Sequence, residues 1–144
     1  MRRILFLVSF AIFALSALPC VADSPADRPS HNFQVAGIDD PASVTVFLRT
    51  LKTAVAHNDR KKVASLIDFP IIARVHGKSE HVKSASQFVR WYPQIFNPHV
   101  KKAVAAQQAK DLFVNWRGVM IGDGEIWFGP AVKGGRLQIF AVNN

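Results

Sequence analysis

The sequence predicts an α+β domain in which N-terminal helices pack on one face of a curved, mostly antiparallel sheet. Amphipathic segments with helix-start signals fill the middle of the chain, from about residue 39 to residue 106. After Asp111 the pattern changes, because six of the eight glycines lie between Gly118 and Gly135 among short runs of β-branched and aromatic residues. Helices first and a hairpin-rich meander last are typical of the α+β class.

The first residues have the pattern of a secretory signal peptide. A short basic segment, Met1–Arg3, precedes an apolar run from Ile4 to Leu18, and Cys20–Ala22 offers small residues for cleavage. The apolar run is shorter than the roughly 20 residues that cross a bilayer, which disfavours an uncleaved anchor. We therefore expect residues 1–22 to be a signal peptide, residues 23–37 a flexible leader and residues 38–144 a single domain.

The composition limits the kinds of chemistry open to the exported chain. The whole chain carries 18 basic and 10 acidic residues, a formal charge of +8, and removal of the signal peptide with Arg2 and Arg3 leaves +6. Its single cysteine, Cys20, leaves with the same segment, so the mature chain has neither a disulfide nor a thiol nucleophile. Pro19 before this cysteine disfavours a lipoprotein. We expect a periplasmic or secreted protein that is not integral to the membrane and uses no cofactor.

The helices are predicted from caps and apolar spacing. Asp40-Pro41 is typical of a helix start, and Asn58-Asp59 ends the first helix and begins a second. Ser84 and Gln87 fit a capping box for a third helix, with Pro93 near its end, and Pro98 begins a fourth helical segment. The apolar positions expected to face the core in the first helix are Val44, Phe47, Leu48, Leu51 and Val55.

Strands are predicted on either side of the turn signals. A hairpin is expected over residues 71–83, and four strands are expected over residues 112–117, 119–121, 125–128 and 136–142. Alternation along these four strands divides their residues into two faces. The face expected to meet the helices consists of Leu112, Val114, Trp116, Ile126, Phe128, Leu137, Ile139 and Ala141.

The opposite face mixes aromatic and charged residues and is the candidate contact surface for a partner. Aromatic side chains and arginine are enriched in protein interfaces, although a solvated sheet face has the same alternation. The predicted partner-binding residues are Phe113, Arg117, Glu125, Trp127, Arg136, Gln138 and Phe140. Val142 shares their alternation.

The other groups of polar and charged residues are better explained by a structural role than by metal binding, catalysis or nucleic-acid binding. His76, Glu80 and His81 match no familiar metal-ligand spacing, and adjacent strand residues point to opposite faces, so we expect no metal site. Asp68 is an acid in an apolar stretch, but an acid before Phe-Pro is typical of a turn. The basic residues are scattered rather than arranged in a stripe with aromatic residues, so no nucleic-acid partner is expected.

The order of elements, with the segment Gly118–Phe128 as a central hairpin, resembles the NTF2-like, cystatin-like α+β superfamily. The resemblance covers roughly residues 38–144 and implies a cone with a pocket between helices and sheet. Members of this superfamily include isomerases, dehydratases, ligand binders and inhibitors, so the fold alone leaves the function open. No catalytic motif of these enzymes lies on the residues of this chain.

Two functions of different classes follow from these observations. The first is an exported, non-enzymatic binding domain for an envelope or extracellular partner, acting as an inhibitor or escort protein. Its positive charge favours an anionic envelope protein, an anionic polymer or a lipid head group, and the sheet face also suits a homodimer. The alternative is a small-molecule pocket protein of NTF2-like type, with or without weak isomerase-like or lyase-like activity.

Overall fold

The computed structural model describes residues 32–144. The predicted signal peptide, residues 1–22, lies outside the described residues, as does most of the predicted leader. The described end of that leader is folded, because Phe33–Ala36 forms a turn of 3-10 helix and Phe33 is only 1% exposed. The folded part therefore includes residues ahead of the predicted start at Ile38.

The first two helices begin at the predicted caps. Helix α1 spans Pro41–Ala56, and the Asp40 carboxylate accepts a hydrogen bond from the Ala42 N–H at 3.0 Å. Helix α2 spans Arg60–Ala64 and is capped by Asp59. The predicted apolar face of α1 is confirmed, since its residues are buried: Val44, Phe47, Leu48, Leu51 and Val55.

A hairpin and two further helices complete the middle of the chain. Strands β1, Ile71–Val75, and β2, Lys78–Val82, pair antiparallel as a separate two-stranded sheet. Helix α3 spans Ala85–Ile95 and continues past the proline inside it, and helix α4 spans Pro98–Ala106. No described helix has both the length and the apolar character needed to cross a bilayer.

The cap of α3 differs in one detail from the predicted box. Ser84 Oγ accepts a hydrogen bond from the Gln87 N–H, as expected. The Gln87 side-chain carbonyl, however, accepts from the N–H of Lys83 at 2.7 Å, one residue before the cap. Both interactions still hold the start of the helix against the end of β2.

The second sheet contains four antiparallel strands in chain order. They are β3, Phe113–Asn115, β4, Gly118–Ile121, β5, Ile126–Pro130, and β6, Leu137–Val142. Ile67 adds an isolated parallel bridge to the free side of β6 at Ile139. With helices and antiparallel sheets, the fold is α+β, as predicted.

The core lies between α1 and the inner face of the four-stranded sheet. Phe47 of α1 stacks on Phe128 of β5 with ring centroids 4.5 Å apart. Ile126 and Ile139 are buried beside this pair. A second group of aromatic rings lies at the end of α3, where Tyr92 stacks on Phe96 with ring centroids 5.3 Å apart.

The predicted division of residues between the two faces of the sheet is wrong at three positions, Trp116, Ala141 and Val142. Trp116 is not in a strand but in the β3–β4 turn, where it is 81% exposed. In β6 a bulge intervenes, because Trp127 pairs with Ala141 while Phe128 pairs with Ile139, which leaves Phe140 unpaired. The extra residue reverses the alternation beyond it, so Ala141 shares the face of Trp127 and Val142 is buried.

Candidate functional site

The candidate site lies on the outer face of the four-stranded sheet, the face turned away from α1. Pairing aligns Phe113, Met120, Trp127 and Ala141 in one row across the four strands. Neighbours on one face of antiparallel strands lie close enough for their side chains to interact. The row therefore brings together residues that are far apart in the sequence.

Three of the predicted residues meet at Trp127, which Phe113 contacts from the row and Arg117 from outside it. The rings of Phe113 and Trp127 meet edge to face with centroids 6.3 Å apart, at an interplanar angle of 84°. Arg117, from the β3–β4 turn, places its guanidinium carbon 5.6 Å from the centre of the Trp127 ring. Phe113 remains 51% exposed and Trp127 is partly exposed. Sequence alternation placed these residues on one face, and the structure places them in contact.

Phe140, the unpaired residue of the bulge, lies over one glycine of β5 and one of β4. A Cβ added at Gly129 would lie 3.6 Å from the Phe140 ring, and one added at Gly118 would lie 3.1 Å from it. The absence of side chains at these two positions gives the ring its place on the outer face. We call Phe113, Arg117, Trp127 and Phe140 together the aromatic patch.

The other three predicted residues do not join the aromatic patch. Glu125 is buried in the β4–β5 turn. Arg136 precedes β6, and its guanidinium approaches the carbonyl oxygen of Ser65 at 3.4 Å. Gln138 donates its side-chain amide to the carbonyl oxygen of Ile67 at 3.3 Å, at the edge of the sheet.

Glu125 instead forms a polar cluster with the start of α4. Its Oε1 lies 2.8 Å from Nε2 of His99, and its Oε2 accepts the backbone N–H of Asp123 at 2.6 Å. The His99 side chain is 71% exposed, whereas that of Glu125 is 9% exposed. A Cβ at Gly122 would collide with the Glu125 carboxylate, so this glycine leaves room for the inward turn of the side chain.

An open cleft of about 480 Å³ lies beside this pair. Gln107 forms part of its wall, accepting the Gly122 N–H with its side-chain carbonyl at 2.8 Å. Lys102 and Asp111 add charges of both signs to the lining. An imidazole oriented by a buried carboxylate is able to act as a proton acceptor. The pair was not predictable from the sequence, because its members are distant in the chain and share no motif.

Tyr92 has a buried hydroxyl that makes no hydrogen bond with the described residues. Its ring lies under two cations, with the Arg60 guanidinium carbon at 5.6 Å and Lys101 Nζ at 5.3 Å from the ring centre. Burial raises the pKa of the Tyr92 phenol above its ordinary value of 10.0, while the charge of Arg60 acts in the opposite direction. Because the fold encloses the hydroxyl, Tyr92 is a residue of the core rather than of a site.

The histidines of the β1–β2 hairpin lie in its turn, at His76, and in its second strand, at His81. Across residues 32–144, no three His, Cys, Asp or Glu side chains are grouped in a way that could hold a metal ion. His76 lies in the turn, with its N–H donating to the side-chain carbonyl of Gln94 at 2.7 Å. Asp68 is exposed, and its N–H donates to Ile139 at the edge of β6.

Comparisons of this chain with models of protein families, with curated proteins and with solved structures find no match.

Proposed function

We propose that the protein is an exported, non-enzymatic binding domain that contacts an envelope or extracellular partner protein through the aromatic patch. The observation that supports this proposal is the contact of Phe113 and Arg117 with Trp127 on the open face of the sheet. Aromatic side chains and arginine dominate the binding free energy of many interfaces. A patch held by contacts within the monomer is also preorganised, which lowers the entropy lost on binding.

The charge of the chain suggests the chemistry of the partner. A formal charge of +8, or +6 after removal of residues 1–22, favours an acidic protein surface and speeds its encounter with the patch. Such a domain would serve as an inhibitor or an escort protein. The helices and antiparallel sheet are compatible with an NTF2-like architecture, which we propose for this chain.

The proposal is tested by capturing partners from envelope extract at low and high salt and then measuring the affinity of the purified partner. We expect Trp127→Ala to weaken this affinity by about 2 kcal/mol or more, because the ring is the centre of the patch. Ile72→Ala is the matched control, since Ile72 is also an exposed apolar strand residue but lies in the other sheet. Equal losses in both variants, or none in Trp127→Ala, would contradict the proposal.

A further measurement distinguishes binding to a different protein from binding to a second copy of this chain. Sedimentation of the wild-type protein alone measures self-association through the sheet face. A dimer that Trp127→Ala dissociates would replace the proposed partner with a homodimer. A monomer that binds an acidic protein would support the proposal as stated.

A second candidate function is suggested by the His99–Glu125 pair and the cleft beside it. There the protein would bind a small polar molecule, with His99 as proton acceptor in an isomerase-like or lyase-like reaction. A screen of envelope metabolites by thermal shift tests this function. A compound that stabilises the wild type but neither His99→Gln nor Glu125→Gln would support it, and the absence of any stabilising compound would count against it.

A further inference from the structure

Two exposed loops lie together at one end of the four-stranded sheet. The β3–β4 turn contains Trp116, which is 81% exposed, and the β5–β6 loop contains Val132, which is 70% exposed. The two loops are at the same end because β4 begins at Gly118, which lies beside Gly129, near the end of β5. We call residues 116–117 and 131–136 the loop end.

The loop end is also rich in basic residues. Arg117 follows Trp116 in the first loop, and Lys133 and Arg136 are exposed in the second. Two acids ahead of α1 lie beside the second loop, since Asp39 is close to Gly134 and Asp40 shares an open cleft with Arg136. The cations of the loops therefore exceed the acids beside them, in keeping with the positive charge of the whole chain.

We propose that the loop end docks onto the surface of an anionic lipid bilayer. Tryptophan is favoured at the level of the lipid head groups, where its apolar ring and its polar N–H are both accommodated. Val132 provides a second apolar contact from the other loop, and Lys133 and Arg136 meet the phosphates around it. Exposed apolar residues on two separate loops that also carry basic residues fit a charged lipid surface better than the contiguous apolar centre of a protein interface.

This docking goes beyond the proposed function and uses a surface that shares only Arg117 with the aromatic patch. The aromatic patch lies on the outer face of the sheet, whereas the loop end lies where the strands stop. Lipid contact through the loop end would leave Phe113 and Trp127 open to a partner at the membrane surface. Variants at Trp116, Val132 and Lys133 therefore test the lipid surface without removing a member of the aromatic patch.

The test is sedimentation with vesicles of phosphatidylglycerol and phosphatidylcholine in equal parts, compared with vesicles of phosphatidylcholine alone. The protein is recovered from an exporting bacterial host, its N-terminus is read by mass spectrometry, and every variant shares that N-terminus. We expect binding to the anionic vesicles that weakens as salt is raised. Lys133→Gln should lower the partition coefficient about fivefold, and Trp116→Ala with Val132→Ser roughly tenfold or more.

Matched controls come from the β1–β2 hairpin, which belongs to the other sheet. Ile72→Ser removes an exposed apolar residue and Lys78→Gln an exposed cation, and both variants should bind as the wild type does. All five substituted residues are exposed, and thermal unfolding verifies that each variant is folded. Equal binding to both kinds of vesicle, full binding by the Trp116 and Val132 variant, or equal losses in the hairpin controls would overturn the proposal. Loss of partner binding in Trp127→Ala with lipid binding unchanged would show that the two surfaces are separate.

Discussion

Gly118 is the position at which a single added methyl group should do most damage to the aromatic patch. Its φ of 147° is rare for any residue with a side chain, and an alanine there carries strain of about 1–3 kcal/mol. The new Cβ would also lie 2.7 Å from the Phe128 carbonyl oxygen, which is backbone, so the strand itself must shift. Overpacking of this kind adds about 1–3 kcal/mol, so we expect Gly118→Ala to lower the free energy of unfolding by roughly 2–6 kcal/mol.

Gly129→Ala is the matched control for this prediction. Gly129 lies beside Gly118 under the same Phe140 ring, but it is not among the glycines with positive φ, and its added Cβ meets that ring at an ordinary 3.6 Å. We expect a change of less than about 1 kcal/mol for this variant, since alanine is preferred to glycine within a strand. Urea unfolding with an unchanged slope measures both free energies. If Gly118→Ala is as mild as Gly129→Ala, the close approach of β4 and β5 described above is wrong.

Three further predictions concern other parts of the chain. Gly124→Val should lower the free energy of unfolding by about 1–3 kcal/mol in a urea titration, because Gly124 has a φ of 121° and its added Cβ meets nothing nearer than 3.9 Å; an unchanged midpoint would refute the strain argument. Tyr92→Phe should raise stability by about 1–3 kcal/mol at neutral pH, because it removes a buried hydroxyl that has no partner among the described residues. A lower melting temperature of this variant at neutral pH would contradict the expected stabilisation. Since burial raises the pKa of Tyr92, the wild type should lose stability as the pH rises above 10.0 through this raised pKa, and the phenylalanine variant should lack that loss. Mass spectrometry of the exported protein should find its N-terminus at or near Asp23, and a chain that retains residues 1–20 would contradict cleavage.

Local chemistry in the sequence predicted most of the fold. The cap at Asp40 and the proline after it determine where α1 begins, because both act on backbone groups within one turn. The Asp123-Gly124 pair likewise indicates a tight turn by itself, and Gly124 has the positive φ that such a turn favours. Such features need no knowledge of the rest of the chain.

The features that escaped prediction depend on how strands and helices meet. The bulge at Phe140 moves Val142 into the core, and no residue of β6 indicates by itself where the extra residue will fall. The contact of His99 with Glu125 joins the start of α4 to a turn of the sheet. The sequence offered no role for His99, and it predicted Glu125 on the outer face of the sheet, whereas the structure buries Glu125 in the β4–β5 turn.

The bulge also makes the side chain at position 140 of β6 independent of the side chains that face the core. In a regular strand, alternation would link the two sets. Since Phe140 has no partner on β5, its side chain is free of the alternation that assigns Ile139 and Val142 to the interior. An exchange of this aromatic residue for another would alter the chemistry of the outer face while leaving the interior side chains unchanged. The outer face of the sheet can thus change at position 140 without a compensating substitution in the hydrophobic core.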